Sequence, residues 1–138
     1  MDLLGDLTDS WVLNLNYAYN DTRIVESTSA ITNAVGDKFA NAPQHQIGLW
    51  SRYELDSINS AIAAGMDYVS DQLSIDGQHV KSYTVFDMSW QTRWQQWLFQ
   101  ANVKNLFDKT YASSGFIDRT GHFPGEPRRV YLTTTYQF

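Results

Sequence analysis

Trp11-Val12-Leu13-Asn14-Leu15-Asn16-Tyr17-Ala18-Tyr19-Asn20-Asp21-Thr22 decides the fold class. Successive side chains of a strand point to opposite faces, and this segment sets Trp11, Leu13, Leu15, Tyr17 and Tyr19 on one face. Asn14, Asn16, Ala18, Asn20 and Thr22 take the other. The period is two, hence a β-strand. The polar side is mostly uncharged amide, which suits a water-filled or protein-filled interior, whereas the exposed face of a soluble sandwich more often carries Lys and Glu.

The same pattern recurs further along the chain. Ile47, Leu49, Tyr53 and Leu55 alternate with Gln46, Gly48, Trp50, Arg52 and Glu54, and Ile62, Ala64, Met66 and Tyr68 alternate with Ala63, Gly65 and Asp67. Thr84, Phe86, Met88 and Trp90 then alternate with Val85, Asp87, Ser89 and Gln91; Trp97, Phe99, Ala101 and Val103 alternate with Leu98, Gln100, Asn102 and Lys104. Val130, Leu132, Thr134, Tyr136 and Phe138 alternate with Arg129, Tyr131, Thr133, Thr135 and Gln137. The pattern predicts an all-β chain of about six antiparallel strands, each near the length of about 9–11 residues that crosses a membrane when tilted.

Connections between these strands alternate in length. Long ones cover roughly Arg23 to Gln44, Ser70 to Val80 and Leu106 to Arg128; short ones lie near Asp56 to Asn59 and Arg93 to Gln95. A turn-like Gly5-Asp6-Leu7-Thr8-Asp9 precedes the first strand. Outer-membrane barrels have short periplasmic turns on one rim and long extracellular loops on the other. On that geometry Phe138 falls on the periplasmic rim, Trp11, Trp90 and Trp97 form an outward aromatic girdle beside it, and Tyr17, Tyr19 and Tyr68 form a second girdle at the outer interface. Aromatic residues also fill the cores of soluble sandwiches, so a soluble β-sheet binding module or a small self-sufficient barrel stays open as an alternative.

Composition agrees with a barrel and excludes other classes. No run approaches the eighteen or so consecutive apolar residues of a spanning helix, and a barrel that alternates apolar with polar residues tolerates a mean hydropathy of -0.39. The formal charge of -5 and the scattering of ten Lys and Arg over 138 residues argue against nucleic acid as a partner. Cys is absent, so there is no disulfide framework. Met1-Asp2-Leu3-Leu4-Gly5-Asp6 does not resemble a secretory signal, so either export information lies upstream or the chain stays in the cytoplasm.

The last third of the chain carries the residues of a known family. Ala101-Asn102-Val103-Lys104-Asn105-Leu106-Phe107-Asp108-Lys109-Thr110-Tyr111 resembles the penultimate-strand segment of TonB-dependent outer-membrane receptors, and Phe123-Pro124-Gly125-Glu126-Pro127-Arg128-Arg129 is similar to the return of their final external loop. Leu7-Thr8-Asp9-Ser10-Trp11, Ala18 to Arg23, Asn41-Ala42-Pro43-Gln44-His45 and Ser82 to Asp87 resemble other strand entries and exits of the family. The subtype resembled is the ferric-siderophore receptor. The resemblance implies residues 1–138 are the C-terminal portion of a large outer-membrane β-barrel of about 22 transmembrane strands, the size class of plugged transporters. The plug domain, the TonB box and the earlier strands are then absent from this chain, which provides barrel closure and about three ligand-facing loops and is not expected to transport alone.

The resemblance also implies partners and sites. The cargo is iron as a ferric siderophore, with no intrinsic cofactor; the partners are the TonB complex through the plug, the barrel-assembly machinery and outer-membrane lipid of a Gram-negative bacterium. Aromatic and cationic loop residues suit an anionic catecholate or hydroxamate chelate, which makes Arg23, Phe116, Arg119, His122 and Phe123 the candidate ligand-binding residues. Leu132, Thr134, Tyr136 and Phe138, at alternate positions and ending on the terminal Phe, resemble the signal read by barrel-assembly machinery through strand pairing. Arg52, Glu54, Asp67, Asp87, Lys104 and Arg129 make a ladder of charges on the inner face, where no catalytic role is expected. Asp67 and Asp87 fall too far apart along adjacent strands for a carboxylate pair. His45, His79 and His122 lack ligand spacing for a protein metal site, and no nucleophile or phosphate-binding motif is present.

Overall fold

A strand whose side chains alternate still has backbone donors and acceptors along both edges, and each strand here satisfies them by pairing with its neighbours. The structure, a computed structural model, describes residues 1–28 and 34–138. The middle of the first long connection, residues 29–33, lies outside the described residues. In order come β1 (Asp2–Thr8), β2 (Trp11–Tyr19), β3 (His45–Leu55), a 3-10 turn (Asp56–Ile58), β4 (Ser60–Val69), β5 (Gln72–Leu73) and β6 (His79–Val80). They are followed by β7 (Tyr83–Trp94), β8 (Trp97–Lys104), β9 (Ala112–Gly115), β10 (His122–Pro124) and β11 (Arg129–Tyr136). The main sheet has seven strands in the order β1-β2-β3-β4-β7-β8-β11, all antiparallel, while β5 with β6 and β9 with β10 form small hairpins inside two of the long connections.

All six strands read from the pattern are present, and β1 precedes them as a seventh. The Gly5-Asp6 stretch reads as a turn, but Gly5 pairs with Leu13 and Asp6 with Val12. A register shift between Asp6 and Thr8 absorbs the irregular spacing of Leu3, Leu4 and Leu7, as a bulge does, and the turn contracts to Asp9-Ser10. Pairing with β2 has overridden local turn chemistry.

Register fixes the two faces. Leu3 pairs with Leu15, Leu15 with Leu49, Leu49 with Met66 and Met66 with Phe86, an apolar row across five strands. Aromatic rows border this face. At the short-turn rim Trp11 meets Tyr53 edge-on at 6.5 Å and Trp97 meets Tyr136 at 4.8 Å. Trp94, paired with Trp97, joins them. Towards the long connections Tyr17 stacks on His45 at 6.1 Å, and Tyr68 pairs with Ile47. The opposite face carries Asn14, Asn16, Gln46, Asp67, Asp87, Gln91, Gln100 and Asn102, as the alternation predicts.

Little of this sheet is covered. Among the described residues the buried apolar side chains are Ala61, Ala63 and Val80, while Leu132 is 80% and Trp94 63% exposed. A soluble sandwich needs a second layer over its apolar face, and among the described residues none is present. The small closed barrel is not formed either, because β1 and β11 are the two edges of an open sheet. Every residue of both edge strands is exposed.

Unpaired edges next to an apolar face drive association. The 138-residue chain, refolded alone, is predicted to form concentration-dependent oligomers in detergent and to aggregate without it; a monodisperse monomer that unfolds cooperatively in plain buffer would contradict this.

Candidate functional site

The three long connections leave the same rim of the sheet. Where a strand leaves its ladder, side chains replace backbone partners, and the exit of β8 shows how. Asn105 and Asp108 both adopt left-handed backbone, with φ of 48° and 53°, which Asn and Asp tolerate better than most residues. Asn105 is buried. Its Nδ2 donates to the carbonyls of Lys109 and Glu126, each at 2.9 Å, and its Oδ1 accepts the Lys109 N–H at 2.8 Å. The Asn105 N–H donates to Asp87 Oδ1 at 2.9 Å, while Lys104 Nζ donates to Asp87 Oδ2. Asp108 Oδ1 accepts the Arg128 N–H at 2.9 Å. Two sequence motifs some twenty residues apart, Asn105 to Tyr111 and Phe123 to Arg129, are thus bonded to one another.

Tyr111 is held by the same arrangement. Its ring lies 4.2 Å from that of Tyr83, and a Cβ on Gly125 would collide with it, so only glycine lets the returning chain pass beneath. The Gly125 N–H donates to the Tyr111 carbonyl at 2.8 Å.

Beside Tyr111 opens a cleft of about 630 Å³, whose walls include His79, Lys81, Lys109, Tyr111, His122 and Pro124. His79 Nε2 lies 3.2 Å from Asp71 Oδ2, but Lys81, Lys109 and His122 have no ion-pair partner among the described residues. Two lysines without carboxylate partners among the described residues, set beside an aromatic wall in a chain of net charge -5, form a place for an anion. A hollow along the β1 edge and a groove by the short turns, of about 570 and 230 Å³, gather no such cluster.

Four of the five candidate binding residues come together on the β9–β10 hairpin. Phe116 and Phe123 rings lie 6.0 Å apart, His122 pairs with Gly115, and Arg119 sits in the turn whose Thr120 and Gly121 N–H groups donate to the Ile117 carbonyl. His122 also reaches the cleft. Arg23 is elsewhere: it pairs with Asp21 at 3.4 Å and donates to the Gly36 carbonyl at 3.4 Å inside its own connection. His79, Lys81, Lys109 and Tyr111 were not singled out as binding residues by the sequence, because what unites them is the approach of two connections.

Among the described residues no group of His, Cys, Asp and Glu is placed to hold a metal. Asp67 pairs with Val85 and Asp87 with Gly65, so the two carboxylates lie diagonally on the same face and not directly opposite one another. Both Asp87 oxygens are engaged by Lys104 and Asn105, which gives that carboxylate a structural task. On β11, Leu132 pairs with Ala101, Thr134 with Phe99 and Tyr136 with Trp97, and the Phe138 ring lies 5.5 Å from that of Tyr136.

Comparison with known proteins gives a consistent result. The family model described as TonB dependent receptor-like, beta-barrel matches residues 2–106. The chain is similar to an uncharacterized TonB-dependent receptor of Haemophilus influenzae, 30% identical over 99% of this chain and 44% of that receptor. It is also similar to the catecholate siderophore receptor Fiu of Escherichia coli K12, 29% identical over 100% of this chain and 19% of that receptor. The crystal structure of the closed form of the ferric-catecholate import receptor Fiu from E. coli K12 matches with a TM-score of 0.81 at 25% identity, covering 99% of this chain and 20% of that one. The chain therefore spans less than half the length of these relatives.

Asn105→Gly keeps the left-handed backbone and removes three hydrogen bonds. It is predicted to destabilise the assembled barrel by about 2–4 kcal/mol, from about 0.5–1.5 kcal/mol per bond. Urea unfolding in detergent checks this, and a shift below about 0.5 kcal/mol would show that the node does not hold the exit of β8.

Proposed function

The chain belongs to the TonB-dependent receptor β-barrel family, and from that premise we propose that it is the carboxy-terminal portion of an outer-membrane receptor of a Gram-negative bacterium that takes up ferric siderophores. In that receptor the remaining strands pair with the free edges of β1 and β11, a plug lies against the polar face, and the TonB complex acts through the plug. This segment supplies barrel-closing strands and three external loops. Iron passes as cargo within its chelate, and no step of the reading needs a catalytic group.

The observation that carries the reading is the cationic cleft beside Tyr111. A ferric catecholate is a metal wrapped in aromatic rings and bears net negative charge. Lys81 and Lys109, without carboxylate partners among the described residues, attract such an anion, and the His122 ring lines the same cleft beside them. Tyr111 adds an aromatic wall to the same cleft, against which the rings of the chelate can pack. The similarity to the catecholate receptor Fiu favours catecholate over hydroxamate cargo.

The terminal strand fits an assembly role. Leu132, Thr134, Tyr136 and Phe138 present alternate side chains along a strand with one edge free, which is what strand-pairing recognition by barrel-assembly machinery requires. The apolar face, with its aromatic borders, meets outer-membrane lipid.

Uptake of ferric dihydroxybenzoate by cells producing the full-length receptor tests the reading. The double variant Lys81→Glu, Lys109→Glu is predicted to raise the uptake KM about tenfold or more, because reversing a charge near a bound anion is worth at least about 1 kcal/mol at a partly exposed site. Arg23→Ala is predicted to leave it nearly unchanged. Equal effects of the two, or none from the double variant, would remove the cleft from the binding surface.

A further inference from the structure

The motif Asn41-Ala42-Pro43-Gln44-His45 contains a residue with no contact to the cleft and an unusual set of bonds. Asn41 has a left-handed backbone, φ 53°, just before the chain enters β3. Its N–H donates to the Leu73 carbonyl at 2.8 Å, which ties the first long connection to the second. Its side chain reaches the third: Nδ2 donates to the Gly115 carbonyl at 2.9 Å and Oδ1 accepts the Gly115 N–H at 2.8 Å. One side-chain amide thus pairs with both backbone groups of a residue 74 positions away, as another strand would.

Gly115 is the last residue of β9 and is buried. Ser74 and Val80 press against it so closely that a Cβ would collide with both. Gln72 Nε2 donates to the Ser113 carbonyl at 2.9 Å, and the Asp118 N–H donates to Asp76 Oδ2 at 2.9 Å. These bonds join the second connection to the hairpin, and Asn41 adds the first. The hairpin they hold carries Phe116, Arg119, His122 and Phe123.

We propose that Asn41 is a positioning residue: its amide locks the β9–β10 hairpin to the other two external connections, so that capture of the chelate depends on a side chain that does not touch it. Few residues meet both demands of the position. An amide of this length donates and accepts at once, and Asn tolerates a left-handed backbone. Asp would set a carboxylate against the Gly115 carbonyl, and Ala would offer nothing. Without the lock, ordering of the hairpin has to occur on binding, and affinity falls accordingly. The inference rests on the uptake reading above, and its test has one readout that needs no ligand.

Asn41→Gly and Asn41→Asp in the full-length receptor are compared with wild type. Glycine keeps the backbone conformation without strain. Two measurements are made: trypsin cleavage after Arg119 on intact cells, and the KM and Vmax of ferric dihydroxybenzoate uptake. Both variants are expected to be cleaved about tenfold faster and to show a KM raised about tenfold, the weight of one to two net hydrogen bonds, with Vmax and heat-modifiable mobility retained. Unchanged cleavage with unchanged KM overturns the proposal. So does loss of Vmax and of the folded band in both variants, since Asn41 would then serve barrel folding. A wild-type receptor that takes up no ferric catecholate sinks the uptake reading instead; the lock then stands if cleavage is faster in the variants and falls if it is not.

Discussion

Backbone N–H and C=O groups placed in hydrocarbon have no water to bond, and each one left unpaired there costs several kcal/mol. Strand-to-strand pairing answers that demand, and the rest of the structure follows from it. Once β2 is in register with β3, every side chain of both strands is assigned to one face, because a slip of a single residue would exchange the faces. The apolar row from Leu3 to Phe86 and the amide-rich face behind it are consequences of one ladder continued across seven strands. The same demand leaves β1 and β11 incomplete, since each has one edge without a partner strand.

Where the ladder stops, side chains take over the work of the backbone. Asn41, Asn59, Asn105 and Asp108 all sit in left-handed conformation at the ends of ladders or in turns. Asn105 and Asp108 bond carbonyl and N–H groups of the returning chain, and that local bonding holds Tyr111 over Gly125 and shapes one wall of the cleft. The shape of the cleft at the rim is in this sense an extension of strand-exit geometry. The motifs recognisable in the sequence are the places where the chain must leave the sheet and come back.

Most of the fold was legible because period-two alternation is local and register does the rest. Strand β1 was not, since Gly5 and Asp6 carry turn chemistry and their pairing with β2 is a tertiary fact. Trp94 escaped the girdle because the hairpin turn lies one residue later than the pattern suggested, at Gln95-Gln96. Phe116, Arg119, His122 and Phe123 were legible only as residues of one long connection, and the hairpin that gathers them came with the pairing of β9 and β10. Lys81, Lys109 and Tyr111 were not, because their meeting depends on how two connections fold back, and Arg23, a loop cation by sequence, is occupied by Asp21 and Gly36. The diagonal approach of Asp67 to Asp87 likewise appeared only once register was known.

The central claim is that one face of this sheet meets lipid and the other faces the inside of a barrel. The chain contains no Cys, so single cysteines can be placed along β7 and spin-labelled in the receptor reconstituted in outer-membrane lipid. The account predicts that labels at Phe86, Met88 and Trp90 collide with dissolved oxygen, and that labels at Val85, Ser89 and Gln91 collide instead with a water-soluble nickel complex, alternating residue by residue. Uniform accessibility along the strand, or the opposite alternation, would contradict it.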